Sequence, residues 1–258
     1  MNAPTLPLAQ SLPASVWRAG KLDASVPAGE ASGFAALDAV LPGSGWPTGC
    51  LTELLCREAG IGELRLLVPL LQRLTQQRRF VILLAPPLTP YAPALASFGI
   101  DLDYLIVIQA PNAADRLWAV EQALRSSGFG ALLAWLPQQR TRPEHLRRLQ
   151  LAAQSAGGPV FLFRELPAQF ESSPAPLRLL LLPRPAQQLS VQVLKRRGPV
   201  IAQPLLLKLP QPVSTFSLRS APAAAQSAGT LSSIHAAPAA AALERSGPAR
   251  SSGQARVH

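Results

Sequence analysis

The sequence predicts an α/β fold in which a mostly parallel central sheet is flanked by helices. Three observations carry that reading. Continuous apolar runs of strand length recur at Phe80–Ala85 (FVILLA), Leu105–Gln109 (LIVIQ), Ala131–Leu136 (ALLAWL) and Val160–Phe163 (VFLF), as expected of parallel strands covered on both faces. Segments with helical spacing stand between these runs, which is the βα alternation of an α/β domain. An apolar strand, Cys50–Leu55, leads through a tight loop, Ala59-Gly60-Ile61-Gly62, into a helix opening at Glu63. Strand, glycine loop and helix are the frame of a phosphate-binding loop.

The chemistry of that loop is degenerate. A working loop places Gly-Lys-Ser/Thr at the helix start, where the ammonium neutralises phosphate and the hydroxyl holds Mg²⁺. Here those positions are Gly62, Glu63 and Leu64. A carboxylate stands where a cation is needed and would repel a phosphate, so no nucleotide cofactor is expected at Gly60, Gly62, Glu63 and Leu64.

Ahead of this loop runs Gly33-x-x-x-Leu37-Asp38-x-x-Leu41, then Gly45-x-Pro47-x-Gly49 and Glu53. With a helical turn over Gly33–Leu41 and a Gly/Pro loop over Pro42–Gly49, this spacing resembles the start of the core of RecA-type recombinases. The altered loop Gly60–Leu67 resembles that of the ImuA family, RecA-like accessory proteins of translesion DNA synthesis that also carry the label SulA-like. The resemblance covers roughly residues 15–210. It implies a RecA-like core, residues 16–210, between a disordered N-terminal segment 1–15 and a disordered tail 211–258. Within 1–30, Trp17-Arg18 is expected to dock the chain onto the domain.

The resemblance also says where further catalytic groups would stand. Working RecA-like ATPases carry a glutamate, the general base, at the end of the strand here spanning Phe80–Ala85, yet no acid lies between Phe80 and Ile100. The Walker B aspartate that holds the Mg²⁺ water maps to Trp135, and no acid lies between Gly130 and Arg142. Lysine, glutamate and aspartate are all absent, so the sequence is read as a non-enzyme with no catalytic residue.

The remaining elements follow in order. The helix from Glu63 carries Leu64, Leu66, Leu67, Leu70, Leu71 and Leu74 on one face, with Pro69 predicting a kink. Arg78 and Arg79 suit its C-terminal end. A short helix, Tyr91–Phe98, stops at Gly99, and Asp101 and Asp103 fit a solvated turn. A helix over Pro111–Ser127 is expected to carry Leu117, Trp118, Val120, Ala123 and Leu124 inside it, with Gly128 beyond its end. Pro143 opens the next helix, to about Ser155. Leu177–Leu182 and Leu189–Lys195 read as paired strands, and Pro204–Leu209 as a last strand.

Two basic clusters are the candidate contacts. Arg140, Arg142, Arg147 and Arg148 lie at the carboxyl edge of the sheet, where α/β folds bind ligands, and are candidates for weak DNA contact; no stacking aromatic is evident beside them. Lys195, Arg196 and Arg197 form a basic turn that reads as a solvated hairpin or a partner contact. In the resembled family this turn can reach a neighbouring subunit's phosphate. The chain is basic, with a formal net charge of +10 and a pI near 11.1, which favours an acidic partner without deciding the fold.

Composition bounds the rest. Cys50 and Cys56 flank one strand on the same face, about 20 Å apart and beyond disulfide reach, which predicts core thiols in a reducing compartment. Three histidines and no CxxC give no metal pattern. No signal peptide is read, and no apolar run reaches the ~18 residues of a membrane span. A cytoplasmic protein without a membrane partner is expected.

The ImuA resemblance implies an adaptor in SOS-induced, error-prone translesion synthesis. Its partners would be an ImuB-type inactive relative of Y-family polymerases, an error-prone replicative-type polymerase, and RecA. The alternatives are a SulA-like inhibitor of cell division that binds a tubulin-like GTPase, and a modulator of RecA filaments.

Overall fold

The computed structural model describes residues 27–126, 128–137, 140–199 and 201–212. The expectations for residues 1–15, for Trp17-Arg18 and for 213–258 lie outside the described residues. In chain order the elements are α1 (Ala35–Asp38), β1 (Leu51–Cys56), α2 (Glu63–Gln76), β2 (Val81–Leu84), α3 (Ala92–Ser97), β3 (Leu105–Ile108), α4 (Ala113–Ser126), β4 (Ala131–Trp135), α5 (Pro143–Ala153), β5 (Val160–Glu165), β6 (Leu177–Arg184), β7 (Gln188–Lys195) and β8 (Leu205–Lys208). The described strands form one sheet in the order β3-β2-β4-β5-β1-β6-β7-β8. Pairing is parallel throughout except along β7, which runs antiparallel to both β6 and β8. The mostly parallel α/β sheet expected from the apolar runs is the one observed.

Strand periodicity sorts the core. Val81 and Leu83, Ala131 and Leu133, and Phe161 and Phe163 face the side covered by α1 and α2. Ile82 and Leu84, Leu132 and Ala134, and Val160 and Leu162 face the side covered by α4 and α5. Successive side chains of a strand point to opposite faces, so both faces need apolar residues and the runs read as continuous. Helix α2 lays Leu66, Leu67, Leu70, Leu71 and Leu74 on the first face, all buried. It passes through Pro69 as one helix, and a side chain at Gly33 would meet the Pro69 ring at 2.3 Å.

The segment before β1 explains several residues of the family-like motif. Leu37 is fully buried, and Asp38 Oδ1 accepts the Ser32 amide at 2.8 Å. Glu30 and Trp46 form a two-residue antiparallel bridge, closed by Glu30 N–H to Trp46 O (2.9 Å) and Trp46 N–H to Glu30 O (2.6 Å). Gly45 makes that approach possible, because a Cβ there would lie 2.6 Å from the Glu30 carbonyl oxygen. Trp46 is thereby driven into the core, where it meets Phe161 edge-on at 5.0 Å.

Some expectations need correction. The first strand is shifted by one residue: Cys50 precedes it and is only half-buried, while Cys56 is buried within it. The helical turn at Gly33–Leu41 contracts to α1. Arg78 adopts a left-handed conformation (φ 60°) just past α2. Arg79 does not serve the helix end but pairs with Glu30 at 2.6 Å, joined by Arg73 at 3.3 Å. Partial burial raises the Glu30 pKa, but these two guanidiniums outweigh it and hold the carboxyl below its ordinary value. Trp118 lies within α4 as expected, and its side chain is 65% exposed.

Candidate functional site

The degenerate loop lies between β1 and α2, at the carboxyl edge of the parallel strands. Gly62 closes it with φ 103°, a conformation strongly unfavourable for other residues. It sets Glu63 at the first position of α2. The Glu63 carboxylate turns back onto the loop and accepts the Gly60 amide with both oxygens, at 2.9 and 3.1 Å. A negative charge in the first turn also suits the helix dipole. An amide that a working loop would aim at phosphate is thus held by an acid belonging to the chain, and Glu63 is nearly buried.

The predicted lost Walker B position stands beside it. Trp135 ends β4 and stacks on Phe163 of β5 at 4.4 Å between ring centroids, with 10° between the planes. A cavity of about 210 Å³ is lined by Gly60, Gly62, Glu63 and Leu64 on one side and Trp135 and Pro86–Pro90 on the other. The structure therefore brings together the loop and Trp135, which lie more than seventy residues apart in sequence. Against the adjoining pocket sits Cys56. Burial, then the nearby Glu63 and Glu165 carboxylates, push its thiol up to about 12. Among the described residues, no group of three or more His, Cys, Asp or Glu could hold a metal ion.

A buried ionic cluster, missed in the sequence, fixes the strands behind this edge. Glu53 at the middle of β1 is fully buried. Arg178 of β6 donates Nε–H to it at 2.7 Å, and Ser173 donates its hydroxyl at 2.6 Å. Arg164 of β5 lies 3.6 Å from Glu53 and 2.9 Å from Glu171. Arg178 also donates to the carbonyls of Ala168 (2.6 Å) and Glu171 (3.2 Å). The expectation that Arg164 follows its strand is corrected: β5 continues through Glu165, and Arg164 points inward with Val160 and Leu162. A partial signal was present, since Glu53 and Arg178 are charged residues set between leucines or other strand residues of β1 and β6.

The two basic clusters lie on opposite edges of the sheet. Arg140, Arg142 and Arg148 line an open groove of about 530 Å³ between α4 and α5, together with Trp118, Glu121 and His145. Arg147 is exposed on α5 outside that lining. The aromatic that sequence reasoning did not find beside these arginines is Trp118. The basic turn ends β7 at the amino edge, where Lys195 pairs in register with Arg178. Lys195 donates to the Ser173 carbonyl at 2.8 Å. Arg196 donates to the Pro199 carbonyl at 2.8 Å and also to the Val40 carbonyl, so it ties the turn to the segment after α1. Arg197 lines a pocket beside Cys50, Gln150 and Gln154.

Similarity to known proteins can now be set against this geometry. The family model described as "SulA: Cell division inhibitor SulA" matches residues 49–158, from β1 through α5. A cell division inhibitor SulA from Klebsiella aerogenes is 31% identical over 118 residues, covering 45% of this chain and 69% of the relative. The chain belongs to the SulA family. A SulA from Pectobacterium carotovorum is 34% identical over 99 residues, covering 38% of this chain and 58% of the relative. One from Yersinia pestis is 29% identical over 119 residues, covering 46% of this chain and 70% of the relative. The chain thus spans only a little over half the length of the Pectobacterium SulA. The segment shared with the SulA family holds the Glu63 loop, Trp135 and the α4–α5 groove, and ends before β5.

Among the described residues, no helix is long and apolar enough to cross a membrane.

Proposed function

We propose that this chain is a non-catalytic, RecA-like member of the SulA family that acts in the cytoplasm during the SOS response by binding a protein partner. The observation that carries the reading is the Glu63 carboxylate on the Gly60 amide. A nucleotide phosphate at that amide would have to displace a carboxylate and lie against its charge. The indole at Trp135 stands where an acid would be needed to hold Mg²⁺. With nucleotide turnover gone, what remains is surface. The relatives' description as cell division inhibitors favours a contact that restrains a tubulin-like GTPase of division.

A second reading is the ImuA-like adaptor of translesion synthesis, bridging an inactive Y-family polymerase relative and an error-prone polymerase. One observation favours it: the sheet continues past the shared segment through β5, β6, β7 and β8, so half of it lies outside what the chain has in common with the family model. RecA is a partner compatible with either reading.

Expression of the full chain in undamaged cells separates the two. Filamentous cells, together with slowed polymerisation of the purified division GTPase, are expected of an inhibitor. Cells of normal length, with the Y-family relative recovered on the tagged chain after DNA damage, point to the adaptor. Mg²⁺-dependent ATP hydrolysis by the purified chain, abolished by Glu63→Ala, would sink both.

A further inference from the structure

We propose that the α4–α5 groove is a binding site for single-stranded nucleic acid, with Trp118 as the base-stacking platform, Arg140 and Arg142 as phosphate contacts, and Arg148 neutralising Glu121 at its side. This inference stands apart from the choice between inhibitor and adaptor.

Trp118 is the anchoring observation. An indole that is 65% exposed in the middle of a helix leaves most of its ring to solvent, while α4 buries Val120, Ala123 and Leu124. Its surroundings are cationic. Arg140 and Arg142 reach the groove from the loop after β4, and Arg148 reaches it from α5. The acidic groups nearby are largely engaged: Glu121 is only 13% exposed and pairs with Arg125 and Arg148, and Asp115 accepts from Asn112 at 2.9 Å. Glu144 in the first turn of α5 stays exposed. His145 also lines the groove, with Nδ1 accepting the Arg142 amide at 3.3 Å.

The shape selects the ligand class. A helical peptide is read by a row of apolar pockets along its face, whereas this groove offers one exposed ring above small or mostly covered side chains, Ala113, Ala114, Leu117 and Leu149. A flat π-surface flanked by guanidiniums suits an unpaired base with phosphates on either side. Duplex DNA keeps its bases stacked inside and has no use for the ring. The chain's net charge of +10 favours a polyanionic ligand.

The test uses the full chain and a fluorescein-labelled oligothymidylate of about 20 nucleotides, longer than one stacking site requires. Anisotropy gives affinity and indole fluorescence reports stacking. Trp118→Ala is expected to weaken binding about tenfold or more, to abolish most of the quenching and to leave the melting temperature unchanged. Trp118→Phe is expected to restore much of the affinity. Arg140→Gln with Arg142→Gln is expected to flatten the slope of log K against log salt by about 1.4, two phosphate contacts' worth. Equal affinity of Trp118→Ala and the unaltered chain overturns the proposal, as does a duplex bound as tightly as the single strand. Quenching of Trp118 by polyglutamate but not by oligothymidylate also overturns it, and makes the groove a site for an acidic protein segment.

Discussion

Replacing Glu53 by glutamine keeps the size of the side chain and removes its charge. The structure gives the consequence. Two guanidiniums, those of Arg164 and Arg178, share this carboxylate in a site where all three side chains are at least nine-tenths buried. Removing one member of a buried ionic group costs about 3–5 kcal/mol, because the remaining charge stays desolvated without compensation. Arg164 retains Glu171 at 2.9 Å, and Arg178 retains two carbonyl acceptors, which places the expected loss near the lower end, about 3 kcal/mol. For a domain of this size each 1 kcal/mol moves the melting temperature by about 2–4 °C, so Glu53→Gln is expected to melt about 6–12 °C below the unaltered chain. Scanning calorimetry at neutral pH measures it. Adding Arg178→Gln in the same chain should cost less than the sum of the two single changes, with a coupling above about 1 kcal/mol, since the charges removed are each other's partners. A Glu53→Gln protein melting within about 2 °C of the parent refutes the claim that this carboxylate is the centre of the network.

The other expectations concern the loop, the cysteine and the strand approach. Because the Cys56 thiol is pushed up to about 12 from a usual 9.0, the folded chain binds the proton more tightly than the unfolded one. Its contribution to stability is therefore intact below pH about 9 and is lost between about 9 and 12. Denaturant melts over this range should show a shallower decline for Cys56→Ala than for the parent. Glu63→Gln removes one of the charges that raise this thiol, so maleimide labelling of Cys56 in the folded chain is expected to accelerate at fixed alkaline pH, while calorimetric titration with Mg-ATP stays flat. Gly45→Ala drives a methyl into the Glu30 carbonyl and should cost about 1–3 kcal/mol, with a change in Trp46 fluorescence as the indole shifts from Phe161. An unchanged spectrum and melting point for that variant would show that the bridge yields freely.

Much of the fold was legible because buried parallel strands announce themselves as unbroken apolar runs. Phe80–Ala85 and Ala131–Leu136 needed no other signal, and α2 followed from its leucine spacing. The places of the glycine loop, between β1 and α2, and of Trp135, at the end of β4, were legible for the same reason: the frame around them is apolar and regular. The ionic cluster was harder, since Glu53, Arg164 and Arg178 meet only when β5, β1 and β6 stand side by side. Strand order is a non-local property that no window of sequence contains. The exposure of Trp118 went unread for a different reason. On a helix it lies about 100° from its neighbour Leu117, so the same apolar segment turns Val120 and Leu124 to the core and leaves the indole outside. Arg196 looked like a free contact because its acceptors, the carbonyls of Val40 and Pro199, leave no trace in composition.

The carboxylate of Glu63 has one more consequence, and it concerns time rather than space. A nucleotide arrives, is spent and departs, and that cycle gives a motor or recombinase its clock. An acid tethered three residues from the amide it holds never leaves by diffusion, and its local concentration is independent of the cell's energy state. A surface shaped by such a loop is presented from the moment of folding. Under the proposed non-catalytic reading, its activity is dosed by how many copies are made and how long each one survives.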